Sequence, residues 1–283
     1  MQRQKRVLAV HDISCVGKCS LTVALPILSA AGLECSVLPT AVLSTHTGGF
    51  TGYTFRDLTK DIEPIYRHWQ TLGLQFDSIY TGYLGSFEQL ELVGGLMDSL
   101  TGENTQIVID PVMGDNGVLY PLFDAAFAKG MANLCAKADL IVPNLTEAAW
   151  MLEEDYQEGP YTEEYLEGIL RRLSDMGPRQ VVLTGVNLDE RHLGAAVYDR
   201  ETDRVEYAME EQVEGYYHGT GDVFASALVG AIQNGLSLRD SAQAAVDFTV
   251  ASIRRTHAEG TDIRYGVNFE ANLSQYMTSI GVD

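Results

Sequence analysis

The chain has 283 residues, 46% of them hydrophobic and 20% charged, and a formal net charge of −20. That length and composition exclude a mostly disordered chain and allow a sizeable core. The acidity excludes a broad nucleic-acid footprint, which needs a basic face, yet leaves room for a local cluster of backbone N–H groups to hold a nucleotide phosphate.

From the N-terminus, Met1–Arg6 carries the charge of a signal n-region, but the apolar run Val7–Val10 stops at His11 and Asp12. No export signal is predicted, and a cytoplasmic location is expected. Val7–Val10 reads as a buried strand, the polar segment His11–Lys18 as a loop, and Leu21–Ala31 as a helix ended by Gly32. Short strands follow at Ser36–Leu38, Ser78–Thr81, Ile107–Asp110, Leu140–Val142 and Val181–Thr184, with helical segments between most of them. Such alternation predicts an α/β fold with a mainly parallel central sheet and helices on both faces. Ala195–Tyr198 and Arg204–Tyr207 flank a polar turn and predict a late β-hairpin. Three helices should close the chain, over Val223–Gln233, Asp240–Arg255 and Phe269–Ser279.

No repeat or linker interrupts this order, so residues 1–283 are expected to form a single domain. No apolar run approaches the roughly 18 residues of a membrane span, and a membrane partner is not expected. Cys15, Cys19, Cys35 and Cys135 contain no CxxC pair and are too sparse for a disulfide scaffold. They are expected to be buried free thiols.

Ligands of open parallel sheets bind at the carboxyl ends of the strands. Among the loops placed there, the sharpest signal is His218-Gly219-Thr220-Gly221-Asp222, directly before an apolar helical run. Glycines let a ligand approach the backbone, and N–H groups at a helix N-terminus form an anion hole for a transferring phosphoryl group. Asp222 at its edge is placed to accept the proton of an attacking hydroxyl, or simply to favour the first helical turn. A Rossmann fingerprint is excluded because Phe224 occupies the place of the third glycine. Gly17-Lys18-Cys19 is not a P-loop, because Asp12 replaces the first glycine and Cys19 the Ser or Thr. Asn144-Leu145-Thr146-Glu147 should open a helix, either as a pair for hydrated Mg²⁺ and phosphate oxygens or as a cap with Glu at N3. Asp110-Pro111-Val112-Met113-Gly114-Asp115 brings two carboxylates to the same edge, and its continuation to Tyr120 is a candidate nucleotide lid. Ser44–Phe50 is a further polar loop or a surface turn.

In order and spacing these segments resemble the ribokinase-like superfamily, most closely its pyridoxal and pyridoxamine kinases. The carriers are Ser44-Thr45-His46-Thr47-Gly48, Thr81-Gly82-Tyr83-Leu84-Gly85-Ser86, Asp110–Asp115, Asn144–Glu147, Val182-Leu183-Thr184 and Gly219-Thr220-Gly221-Asp222. The resemblance implies ATP-dependent phosphorylation of the hydroxymethyl group of pyridoxal, pyridoxamine or pyridoxine. Asp222 would be the base, and Gly219, Thr220 and Gly221 the anion hole. It also implies ATP contacts at Asp110, Asn144, Glu147 and Thr184, and Mg²⁺ near Glu147 and Asp115. Thr47, Tyr83 and Asp12 would face the vitamer. K⁺ responsiveness and a homodimer are implied as well. Asp12 departs from the pattern, since pyridoxal kinases usually carry Ser there and hydroxymethylpyrimidine kinases an Asp. A hydroxymethylpyrimidine kinase or another ribokinase-like small-molecule kinase is therefore the alternative. A non-catalytic nucleotide or vitamer sensor is the alternative of another class.

Overall fold

The computed structural model describes residues 3–282. The chain opens with β1 (Arg6–Ser14), α1 (Leu21–Ala30), β2 (Glu34–Leu43) and β3 (Phe55–Asp57). It continues through α2 (Thr59–Thr71), β4 (Ser78–Thr81), α3 (Phe87–Leu100) and β5 (Gln106–Ile109), then a small hairpin of β6 (Gly114–Asp115) and β7 (Val118–Leu119). Next come α4 (Ala125–Cys135), β8 (Leu140–Ile141), α5 (Leu145–Met151), α6 (Glu163–Asp175) and β9 (Gln180–Val186). The hairpin β10 (His192–Asp199) and β11 (Arg204–Glu211) precedes α7 (Thr220–Gln233), α8 (Leu238–Glu259) and α9 (Leu273–Ser279).

Nine strands form one sheet in the order β11-β10-β9-β8-β5-β4-β1-β2-β3. The six from β2 to β9 are mutually parallel, and antiparallel β3 and the β10–β11 hairpin flank them. Alternation along β1 shows how the sheet divides the core. Leu8 and Val10 pack with α2–α6 on one face, whereas Val7 and Ala9 pack with α1, α7, α8 and α9 on the other. Strand order reverses between β1 and β4, so the carboxyl edge beside that pair is the crevice where such a sheet takes ligands.

Several boundaries differ from the sequence reading. Residues 11–14 are not loop. β1 runs on to Ser14, because a register shift between His11 and Ile13 keeps it paired with β2 while burying His11 and Asp12. Likewise β2 extends well past Leu38 despite Pro39. β3 pairs only with Ala41–Leu43, so at Pro39 the outer side of β2 has no ladder to break. At the C-terminus, a 3₁₀ turn over Glu270–Asn272 delays α9 to Leu273. Of the cysteines, all free, only Cys135 is buried; Cys19 and Cys35 are half-buried and Cys15 is exposed, which corrects the expectation of buried thiols. Cys15 lies just past the end of β1, where the chain leaves the sheet.

Candidate active site

Five of the nine described α-helices are capped by a side chain: Ser86, Asp124, Asn144, Thr162 and Ser237 each accept an N–H from the first turn. Ser20 before α1 and Gly219 before α7 give no such bond. α7 starts at Thr220, earlier than its apolar run suggests. Gly219 is the N-cap and Asp222 the third helical residue. The first intrahelical bond at this end runs from Val223 N–H to Gly219 O, so the N–H groups of Thr220, Gly221 and Asp222 are left without helical partners.

Gly219 is required at its position. With φ 75 it lies in the left-handed region, and a Cβ there would stand 2.0 Å from the Lys18 carbonyl oxygen. The turn is thereby pressed against the segment before α1. Gly221 is the opposite case, since a Cβ there meets nothing within 4 Å. Its N–H belongs to an open space at the helix end.

Asp222 sits beside this opening and accepts the Ser20 N–H at 2.9 Å. Burial pushes its carboxyl up to about 7; the Ser20 bond pulls against that, and the nearby Asp12 carboxylate adds to it. Asp12 is only 4% exposed. Its Oδ1 accepts the Ser20 hydroxyl at 2.6 Å and its Oδ2 the Ser14 hydroxyl at 3.1 Å. Burial raises Asp12 too, and the two hydroxyls oppose that rise.

A second carboxylate group lies along the same edge. Asp110, one residue past β5, is pushed well above the carboxylate range by burial, with the charges of Glu147 and Asp222 adding to it. Glu147, 3% exposed, is likewise raised, chiefly by burial. Its Oε2 accepts Asn144 N–H at 2.8 Å while Asn144 Oδ1 accepts Glu147 N–H at 2.9 Å, a reciprocal cap of α5. Glu147 Oε1 also accepts Met113 N–H at 3.1 Å. The capping reading of this pair is thus realised, and it keeps the carboxylate facing the segment after β5. Such a donor set fits a cation: buried carboxylates that repel one another are relieved by positive charge, and Mg²⁺ that keeps its waters needs few of them.

The β6–β7 hairpin, expected as a mobile lid, is strapped to α5. Asn144 Nδ2 donates to Gly114 O at 2.9 Å, and Gly117 N–H donates to Thr146 Oγ1 at 2.8 Å. Asp115 is engaged on both oxygens, accepting Asn116 N–H and the Tyr216 hydroxyl, each near 2.9 Å. Thr184 N–H donates to Pro143 O at 2.9 Å, which sets β9 against the start of α5. Towards the other end, Tyr83 is half-buried beside Phe123, and burial with the Asp12 charge pushes its phenol up to about 12. Thr47 is exposed.

Three side chains here had no assigned role in the sequence reading. His46 is buried, accepts Gly48 N–H on Nδ1, and therefore carries its proton on Nε2, which lies 2.6 Å from the Arg264 carbonyl. His218 lies 5.4 Å from it, ring to ring, joining the Ser44–Phe50 loop to the glycine turn. Both occur in motifs already singled out, so proximity to those motifs was an available signal. Ser20 had none, because a serine before a helix reads as an ordinary cap.

Comparison with known proteins places this geometry. Residues 29–267 match the family described as phosphomethylpyrimidine kinase. A Bacteroides thetaiotaomicron protein assigned to that activity and crystallised with pyridoxal superposes with TM-score 0.92 at 41% identity, over 97% of this chain and 96% of its own. The pyridoxal kinase of Lactobacillus plantarum superposes with TM-score 0.89 at 33% identity, over 98% of both chains. In sequence, the pyridoxine kinase of Bacillus subtilis is 30% identical over 191 residues, 66% of this chain and 67% of that one. The ribokinase-like fold expected from the motifs is borne out.

Proposed function

This chain belongs to the phosphomethylpyrimidine kinase family, and we propose that it transfers the γ-phosphoryl group of ATP to the 5′-hydroxymethyl group of pyridoxal, pyridoxamine or pyridoxine. The observation that carries the reading is the placement of Asp222 at the third position of α7, beside three unpartnered N–H groups and at the carboxyl edge of the sheet.

In this reading the vitamer hydroxyl attacks the γ-phosphorus and its proton passes to Asp222. The bond to the bridging oxygen breaks and ADP departs. A base near 7 is matched to that task, since it is ionised at working pH yet keeps affinity for the proton. The N–H groups of Gly219, Thr220 and Gly221 and the α7 dipole stabilise charge on the transferring group. Asp110, Asn144, Glu147 and Thr184 line the nucleotide side. Asp12, Thr47 and Tyr83 line the vitamer side. Mg²⁺ would be held near Glu147 and Asp115, with Asp110 close to Glu147, and would neutralise phosphate charge. Asp115, whose charge acts on Glu147, would sit near the same cation. A single domain acting as a homodimer in the cytoplasm, responsive to K⁺, completes the proposal.

A hydroxymethylpyrimidine substrate is the second reading, favoured by the family description and by the carboxylate at Asp12. ADP release measured across the three B6 vitamers, hydroxymethylpyrimidine and ribose decides between them. Binding without turnover on every compound would leave only a sensor. Asp222→Asn keeps shape and removes the proton acceptor, so kcat should fall by roughly 10²-fold or more while ATP and vitamer still bind. A kcat close to wild type would falsify the base assignment.

A further inference from the structure

Ser20 occupies a position that its residue type does not explain. It immediately precedes α1, yet its hydroxyl makes no bond to that helix. Its backbone adopts φ 55 and ψ −131, a conformation suited to glycine and disfavoured for any residue with a Cβ. It is buried. Both of its donors are used elsewhere: the N–H reaches Asp222 Oδ2 at 2.9 Å and the hydroxyl reaches Asp12 Oδ1 at 2.6 Å. One residue in a strained conformation therefore holds two buried carboxylates from different elements, β1 and α7.

We propose that Ser20 is a positioning residue that couples Asp12 to Asp222, its N–H orienting the Asp222 carboxylate and its hydroxyl keeping Asp12 anchored as the neighbouring negative charge. The inference rests on the reading of Asp222 as the base. Asp12 adds a second buried carboxylate whose charge acts on Asp222, so it has to be held. Ser14 and Ser20 supply the two hydroxyls that do so. The other titratable groups near the pair are His46 and Tyr83 on the Asp12 side, Tyr80 and Asp110 on the Asp222 side, and Cys19 beside both. Among the described residues only Ser20 bonds to both carboxylates.

Ser20→Gly tests this cleanly, because glycine suits the backbone conformation while deleting the hydroxyl. The expected result is a melting temperature equal to or above wild type together with a fall in kcat of about fivefold to tenfold, KM for ATP staying within about twofold. The acidic limb of the kcat profile should move to lower pH, since an Asp12 deprived of its donor is protonated more readily and pushes less on Asp222. In an Asp12→Ser background, Ser20→Gly should cause little further loss. Wild-type kcat and pH profile in Ser20→Gly, or its full loss repeated in the Asp12→Ser background, overturns the coupling while leaving the base intact if Asp222→Asn is inactive. A nearly normal kcat in Asp222→Asn instead removes the base itself, and this inference with it.

Discussion

Glu147 shows how one side chain can serve architecture and chemistry together. Its two oxygens accept N–H groups from Asn144 and Met113, which locks the start of α5 to the segment after β5. Holding a buried carboxylate there is unfavourable without a cation, since Asp110 faces the same space. Glu147→Gln separates the two roles. Glutamine keeps one acceptor oxygen and points an amide at the other N–H, so a buried donor is left unmatched at a cost of about 1–3 kcal/mol. The melting temperature should fall accordingly, and the Mg²⁺ concentration for half-maximal turnover should rise several-fold. A lower melting temperature with an unchanged Mg²⁺ titration would restrict Glu147 to capping.

Among the elements, α7 carries the largest functional share, and the two glycines at its start have opposite constraints. Gly219 is fixed by its positive φ and by the Lys18 carbonyl behind it, whereas Gly221 borders open space in an ordinary helical conformation. On fold grounds alone, Gly221→Ala should be neutral or stabilising by a few tenths to about 1 kcal/mol. The same methyl group would occupy the approach to the N–H cluster that the proposed mechanism gives to phosphate. A folded, equally stable variant with kcat/KM for ATP reduced about tenfold or more is therefore expected. Unchanged kinetics would mean that phosphate does not enter past Gly221. Two hydrogen bonds also tie the β6–β7 hairpin to the start of α5.

Across the whole molecule, the segments after β5 and β8 and the start of α7 bring Asp110, Glu147 and Asp222 together in a chain whose net charge is already −20. Each of these carboxyls is raised above its ordinary value. An acid whose folded pKa exceeds its unfolded one binds more protons in the native state between those two values, so stability falls as pH rises through that window. For Asp222 the window runs from 3.8 to about 7, and for Glu147 from 4.5 to about 8. The ligand-free protein should therefore lose melting temperature between about pH 5.5 and about pH 8, and Asp222→Asn should show a shallower slope. Thermal melts across that range check it, and a melting temperature that climbs with pH contradicts the assignment of raised carboxyls.

By itself the sequence determined the fold class, because short apolar runs alternating with helical periodicity admit little other than a parallel sheet covered on both faces. It also located the glycine turn, since Gly219 and Gly221 before an apolar helix have a local physical meaning. Only the tertiary structure decided where β1 ends, because polar His11 and Asp12 stay in the ladder through pairing with β2, a partner that local pattern does not reveal. The same holds for the free N–H groups of α7 and for Asn144 with Glu147, whose cap was legible while its reach to Met113 was not. Ser20 marks the limit most sharply. Its bonds to Asp12 and Asp222 span 8 and 202 residues of sequence, and they accompany a positive φ that serine does not prefer.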